Sequence, residues 1–512
     1  MTPAALSNAT VEFLDAAVEE GQGARRALVT PAGAATYAEL LALVERAGAG
    51  LRARGVAAGD RVALLLPDGL AWAATFLGAL RVGAVAIPLN TRLGAPELAA
   101  LLVDCAAAIV VADPALAGPA REAAARAGLS TVLDPETLLA PPGEGCAPAP
   151  VGPDAMAFWI YTSGTTGSPK AAVHLHRNLP ACRHYGGEVL GVGAEDRVFV
   201  TSKLFFAYAL GNALLVPLFA RAQSFLHPGW ADAATVAAVA REYRPTLFFS
   251  VPTMYARLLA ADLPADTFAS ARVCVSAGER LPGEVYRAWR ARFGVEILDG
   301  IGATETIFMM LSSRPGASRE GTTGTPVPGT EARLLDAAGA RVARGAQGVL
   351  WVRTPSLARG YWQRPEATER AFAGEWFRTG DVYYVDADGY WIHCGRQDDL
   401  FKVAGQWVVP ADVEAIALRH PAVLEAGLVG AEEESGLVKP YLFVVPREKP
   451  ADAAALSAEL RERLAREAPA HARPREIILV PELPRTDTGK LQRYRLRDQV
   501  AGSHQPERGR PS

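Results

Sequence analysis

"YTSGTTGSPK", residues 161–170, is the stretch on which the reading of this chain turns. Apart from Tyr161 and Lys170 it holds only Gly, Ser, Thr and Pro, and the apolar run 155–160 leads into it as a strand would. Backbone amides and hydroxyls on such a loop can surround phosphate oxygens. The P-loop spacing G-x-x-x-x-G-K-[ST] is absent, because Gly164 and Gly167 stand too close together and Pro169 precedes Lys170. The residues alone leave two readings open, a phosphate grip of another kind and a flexible linker.

Upstream, "YAELLALVERAGAGLRARG" has helical spacing, "DRVALLLP" reads as a strand, "GLAWAATFLGALRVG" as a helix and "AVAIPLN" as a strand. Downstream, "RVFVTS", "TLFFSVP", "VCVSAGE" and "VEILDGIG" repeat the strand-to-loop unit. This alternation predicts parallel sheets flanked by helices. Between 320 and 395, short runs separated by Gly/Asp turns predict an antiparallel, barrel-like portion. Helical and strand patterns return after "GRQDDLFKVAG". The expected fold class is α/β. A large N-terminal domain, residues 1–396, combines parallel α/β sheets with a distorted β-barrel portion, and a small α+β domain covers 397–512.

The 512 residues are 50% hydrophobic and 21% charged, and a net charge of −3 argues against a nucleic-acid partner. The cysteines at 105, 146, 182, 274 and 394 form no C-x-x-C pair and read as free thiols in a reducing compartment. The N-terminal stretch soon turns acidic, unlike a secretory signal. The most apolar stretch is broken by Arg81, two glycines and a proline, so no membrane partner and a cytoplasmic location are expected. Only six lysines (170, 203, 402, 439, 449 and 490) occur among 52 basic residues, which draws attention to each.

Four further segments carry candidate chemistry. "DGIGATET" (299–306) follows an apolar strand and offers glycines for close backbone approach. Its Glu305 is either a magnesium ligand beside a triphosphate or a solvated strand-end residue. "RTGD" (378–381) places Asp381 after an expected tight turn, where a carboxylate could accept ribose hydroxyls. "GRQDDLFKVAG" (395–405) gathers Arg396, Asp398, Asp399 and Lys402 at the expected boundary, and by default is a charged linker. "PRTDTGKLQR" (484–493) presents Lys490 on a glycine-bearing loop, by default an exposed basic loop.

At these separations the five motifs together resemble the adenylate-forming acyl-CoA synthetase superfamily, over about residues 30–497. "KLFFAYALGN" (203–212), "SAGERLP" (276–282) and "GTTGTPVPG" (321–329) look like its benzoate-CoA ligase branch, whose members activate aromatic acids. The resemblance implies two half-reactions. The carboxylate of benzoate or a substituted benzoate such as 2-aminobenzoate attacks the α-phosphate of ATP, giving acyl-AMP and pyrophosphate. Coenzyme A then displaces AMP. ATP, Mg2+ and coenzyme A are thus implied.

Carried over position by position, the same resemblance gives Lys490 the bridge between carboxylate and α-phosphate, Glu305 the metal and Thr304 a phosphate contact. Ser163, Gly164, Thr165, Thr166, Gly167 and Lys170 match the β- and γ-phosphate loop. Ala277, Gly278, Glu279, Asp299 and Gly300 match the adenine segments, and Asp381 and Arg396 the ribose contacts. The small domain is implied to be mobile, with Asp398 at its hinge and Lys402 and Gly405 beside the thiol tunnel.

The acid is expected between Ala207, Tyr208, Ala209 and Gly211 on one side and Gly302, Ala303, Ile307, Phe308 and Met309 on the other, small residues beside aromatics suiting a flat ring. Plain core packing is the competing explanation for "LFFAYAL". Benzoate ligases often carry histidine where this chain has Phe308, so a polar ring substituent directed there loses a partner. Two alternatives stand beside the ligase: an aryl adenylating enzyme that loads a carrier-protein thiol, and a non-catalytic acyl-adenylate-binding protein. His174 and His176 form an H-x-H without a third ligand nearby, and are expected to be structural or phosphate-adjacent.

Overall fold

Thr36 starts the first long helix, Tyr37–Arg52, through a reciprocal cap: its side chain accepts from Glu39 N, and Glu39 Oε2 accepts from Thr36 N at 2.8 Å. Apolar side chains at 37, 40, 44, 47 and 51 are buried at helical spacing against Leu70–Arg81. Gly78 allows that approach, since a Cβ there would lie 2.6 Å from Ala47 Cβ. The computed structural model describes residues 8–140, 145–163, 169–433, 436–448, 452–485 and 491–503.

The most apolar stretch folds as the helix Leu70–Arg81 and the strand Val85–Pro88, both buried. Arg81, 2% exposed, is neutralised by Asp15 at 2.8 Å and Glu45 at 3.1 Å. Among the described residues no helix is long and apolar enough to cross a membrane. The five cysteines are buried, and among the described residues none is in a disulfide.

A six-stranded sheet runs Val132–Leu133, Ala107–Ala112, Arg61–Leu65, Val85–Pro88, Met156–Ser163 and Pro169–Leu175, parallel except for its last pair. A nine-stranded sheet runs Thr325–Pro326, Met309–Ser312, Ile297–Gly302, Val273–Ser276, Leu247–Ser250, Arg197–Val200, Gln223–Phe225, Arg26–Thr30 and Gly33–Thr36. It is parallel from Ile297–Gly302 to Arg26–Thr30 and antiparallel at both ends. Leu247–Ser250 and Val273–Ser276 are buried at every position, as strands covered on both faces must be.

The barrel-like portion is a five-stranded sheet ordered Glu331–Leu335, Gly348–Arg353, Trp376–Val385 and Phe372–Ala373, with Trp391–Arg396 also paired to Trp376–Val385. Here one expectation needs correction. "RTGD" is not a tight turn but lies within the strand Trp376–Val385. Gly380 absorbs the irregularity at φ +78° without ending the strand.

The chain divides into two compact units. One comprises Met1–Arg333, Trp351–Thr379 and Gly389–Trp391, and the other Leu334–Leu350, Gly380–Asp388 and Ile392–Ser512. Within the second, a sheet of Val423–Glu432, Val438–Pro446 and Glu476–Leu479 packs with Pro410–Leu418 and Ala453–Glu467, an α+β arrangement.

Candidate active site

The opening motif is a hairpin. Met156–Ser163 pairs antiparallel with Pro169–Leu175, and Ser163 faces Pro169 in the register. Strands flank the motif on both sides, whereas a P-loop leads from a strand into a helix, which accounts for the missing spacing. Gly164, Thr165, Thr166 and Gly167 lie outside the described residues, and of Ser163 only the backbone is described. Lys170 opens the second strand with its ammonium 5.2 Å from the centre of the Tyr361 ring.

Thr304 and Glu305 follow the strand Ile297–Gly302. The Thr304 carbonyl accepts from His174 Nε2 at 2.9 Å. Burial holds His174 down to about 4, so the ring is neutral and its Nε2–H is the donor. Glu305 is buried, its Oε1 accepts from the Tyr361 hydroxyl at 2.5 Å, and its backbone oxygen accepts from Ala358 N at 2.8 Å. A single oriented carboxylate suits magnesium, which takes most of its ligands from phosphate and water rather than from a protein cage. Among the described residues no group of three metal-binding side chains occurs, and the H-x-H is no exception: His176 Nδ1 accepts from Ala9 N.

Ser250, Ser276 and Asp299 stand opposite one another in register, at the carboxyl ends of parallel strands where α/β sheets place ligands. Ser250 Oγ shares a hydrogen bond with Thr201 Oγ1 at 2.8 Å, whereas Ser276 Oγ and Asp299 Oδ1 are buried without a partner. Burial pushes the Asp299 carboxyl well above the usual range. Ala277 is buried and Gly278 has φ +92°, a conformation that favours glycine. Glu279 is half-buried beside it. Gly300 lies against Met309, whose Sδ would be 3.2 Å from a Cβ there.

The expected acid walls meet. Ala207–Ala209 leads into a π-helical turn, Leu210–Leu215, and a Cβ on Gly211 would stand 3.1 Å from Phe308 Cδ1. The Tyr208 hydroxyl bonds the carbonyls of Ser250 and Val275, both at 3.2 Å, and burial pushes this phenol well up. Lys203, one of the scarce lysines, anchors this segment from within the core. Its ammonium donates to His227 O at 2.6 Å and lies 3.5 Å from Asp68, which also accepts from Leu204 N.

Opposite, Gly302 is close to the Phe308 carbonyl, and Ala303 N donates to Thr306 Oγ1. Ile307 takes φ +59°, rare for a β-branched residue, in a turn closed by Phe308 N donating to Thr306 O. Phe308 and Met309 also line a small cavity with His184, Tyr185, Val327 and Thr330.

In the second unit, Asp381 is buried between His393 Nε2 at 3.2 Å and Arg396 Nη1 at 3.1 Å. Gly380 makes room for that guanidinium, since a Cβ there would lie 3.0 Å from Arg396 Nη2. Asp398 is exposed, and its carbonyl accepts from Arg497. Lys402 lies 4.7 Å over the Trp407 ring, and Gly405 shares with Ala404 a positive-φ hairpin turn. Lys490 lies outside the described residues.

Sequence reasoning missed Tyr361, His184, Tyr185 and His393. Glycines stand near each of them in the sequence, but a contact such as that of Tyr361, 56 residues from the carboxylate it holds, lies far away along the chain.

Residues 14–362 match the AMP-binding enzyme family, and residues 412–490 match the AMP-binding enzyme C-terminal domain. The 3-hydroxybenzoate–CoA ligase of Aromatoleum sp. (strain CIB) is 39% identical, covering 96% of each chain. The benzoate–CoA ligase of Thauera aromatica is 40% identical, covering 96% of this chain and 95% of its own. Among solved structures, the anthranilate CoA ligase AuaEII in complex with anthranoyl-AMP aligns with a TM-score of 0.92 at 34% identity, covering 98% of each chain.

Proposed function

The chain belongs to the AMP-binding enzyme family, and from that premise we propose that it is an ATP-dependent aryl-acid:coenzyme A ligase. It activates benzoate or a substituted benzoate such as 2-aminobenzoate through an acyl-AMP, passes the acyl group to coenzyme A and releases AMP and pyrophosphate. One observation carries the reading: Lys170 and Glu305 meet on Tyr361, in the same unit as an aromatic wall built from Tyr208, Gly211 and Phe308.

The roles follow from charge. A carboxylate and a triphosphate repel, so cations must stand where they meet. Lys490 supplies that charge at the α-phosphate, and Lys170 with the 163–167 segment holds the β- and γ-phosphates. Magnesium, when bound at Glu305, neutralises phosphate oxygens. Thr304 contacts phosphate. The segments around Ala277–Glu279 and Asp299–Gly300 hold adenine, and Asp381 with Arg396 holds the ribose. The aromatic acid lies against Ala207, Tyr208, Ala209 and Gly211 on one wall and Gly302, Ala303, Ile307, Phe308 and Met309 on the other.

Residues 397–512 act as a mobile lid hinged at Asp398. Lys402 and Gly405 flank the thiol path in the second half-reaction. The compartment is the cytoplasm, where the thiols stay reduced.

The test is pyrophosphate release with benzoate, amino-, hydroxy- and fluorobenzoates, cinnamate and short aliphatic acids, followed by thiol trapping. Release confined to aromatic acids, with transfer to free coenzyme A, supports the reading. Transfer only to a carrier-protein arm replaces coenzyme A by that acceptor, and no release with any aromatic acid rejects the enzyme.

A further inference from the structure

On the reading that Glu305 serves the metal of bound nucleotide, we propose that Tyr361 is a positioning residue that preforms one phosphate site from Lys170 on the strand Pro169–Leu175 and Glu305 after the strand Ile297–Gly302. Its hydroxyl donates to Glu305 Oε1 at 2.5 Å, a charge-assisted bond that occupies one carboxylate oxygen and fixes the plane of the group. The face of the same ring lies 5.2 Å from the Lys170 ammonium, within cation–π range. A single side chain thus sets the spacing between the hairpin's cation and the metal-binding anion.

The backbone around Tyr361 is built to hold it still. Residues 359–362 run along the hairpin strand Pro169–Leu175. Arg359 N donates to Val173 O, Val173 N to Gly360 O and Trp362 N to Ala171 O, with Tyr361 bridged to Ala172. Thr368 Oγ1 accepts from Tyr361 N at 3.0 Å, and the adjacent Trp362 packs on Trp159 with ring centres 4.4 Å apart. The same segment holds the far side of the carboxylate residue, through Ala358 N to Glu305 O. His174, four residues beyond Lys170 on the hairpin, fixes Thr304 from its carbonyl. Glu305 is therefore oriented by groups that all trace back to the strand bearing Lys170.

The test compares Tyr361→Phe, which keeps the ring under Lys170 and removes only the hydroxyl, with Tyr361→Leu, which removes both. Calorimetric binding of Mn2+·ATP and of metal-free ATP is measured on the whole protein, with melting temperature as the folding control. In the Phe variant, affinity for Mn2+·ATP is expected to fall about tenfold, as for loss of a bond to a charged group, with metal-free ATP nearly unchanged. The Mg2+ needed for benzoate-dependent pyrophosphate exchange should rise in parallel. Thioester formation from supplied benzoyl-AMP, which uses neither metal nor pyrophosphate, should stay at the wild-type rate. The Leu variant should weaken metal-free ATP as well. Wild-type Mn2+·ATP affinity in the Phe variant, or equal losses with and without metal, overturns the proposal. Absence of exchange by the wild-type protein would instead reject the functional reading, and the calorimetry still judges Tyr361 because it needs no acid.

Discussion

Replacing Gly211 by alanine probes the contact between the two walls expected to enclose the acid. A Cβ at this position would stand 3.1 Å from Phe308 Cδ1, 3.2 Å from Phe308 Cε1 and 3.3 Å from the Ile307 carbonyl oxygen. Carbon atoms rest at about 3.5–4.0 Å, so the Phe308 ring must retreat by about 0.4 Å. The carbonyl cannot yield as easily, because Ile307 is already held at φ +59°. Overpacking of this kind costs about 1–3 kcal/mol. Alanine in place of glycine within a helix returns about 1 kcal/mol. The net loss of stability is therefore about 0–2 kcal/mol, and the protein folds.

The expected effect on function is larger, because the displaced ring belongs to the wall proposed for the acid. A 1 Å misplacement can cost about 100-fold in rate, so a shift of about 0.4 Å should lower kcat/KM for benzoate about five- to tenfold. The KM for ATP should hold within about twofold, since the atoms nearest a Cβ at 211 belong to Phe308 and Ile307 rather than to the proposed nucleotide segments. Pyrophosphate release with benzoate and ATP varied separately, beside a urea melt, measures all three quantities. A folded Gly211→Ala protein with wild-type benzoate kinetics would refute the placement of the acid against this helix.

Three further outcomes are expected. Lys490→Ala should slow acyl-AMP formation by about two to three orders of magnitude while supplied acyl-AMP still becomes thioester; equal loss in both half-reactions contradicts the role of Lys490. Asp381→Asn should raise the KM for ATP about tenfold, because an anion fixed by His393 and Arg396 is lost as an acceptor, and an unchanged KM removes Asp381 from the ribose site. His176 is held down to about 4 by burial, against about 6.5 when unfolded, so its contribution to stability is complete above about pH 6.5 and drains away as pH falls toward 4. Asparagine keeps an acceptor for Ala9 N without titrating. The stability advantage of wild type over His176→Asn should thus shrink by about 2 kcal/mol between pH 7.5 and pH 5 in urea melts, and a pH-independent difference would exclude this origin.

Local pattern sufficed for what neighbouring residues decide. The helix Tyr37–Arg52 announces itself through its cap and apolar spacing, and Val85–Pro88 and Val273–Ser276 through unbroken apolar runs, because helix and buried-strand periods are properties of ten or so consecutive residues. For Glu305 and Lys170 the residues alone left two readings open, and the expected metal and phosphate roles came only from the resemblance of the motifs taken together. Tertiary structure decided everything that needed two distant segments at once. "RTGD" became continuous strand because ladder pairing overrides the turn preference of Gly380. The grip of Tyr361 on Glu305, of His174 on Thr304 and of Phe308 on Gly211 joins segments 56, 130 and 97 positions apart. No one-dimensional spacing encodes such contacts, because they exist only once strand order and register bring the carboxyl ends of separate strands together.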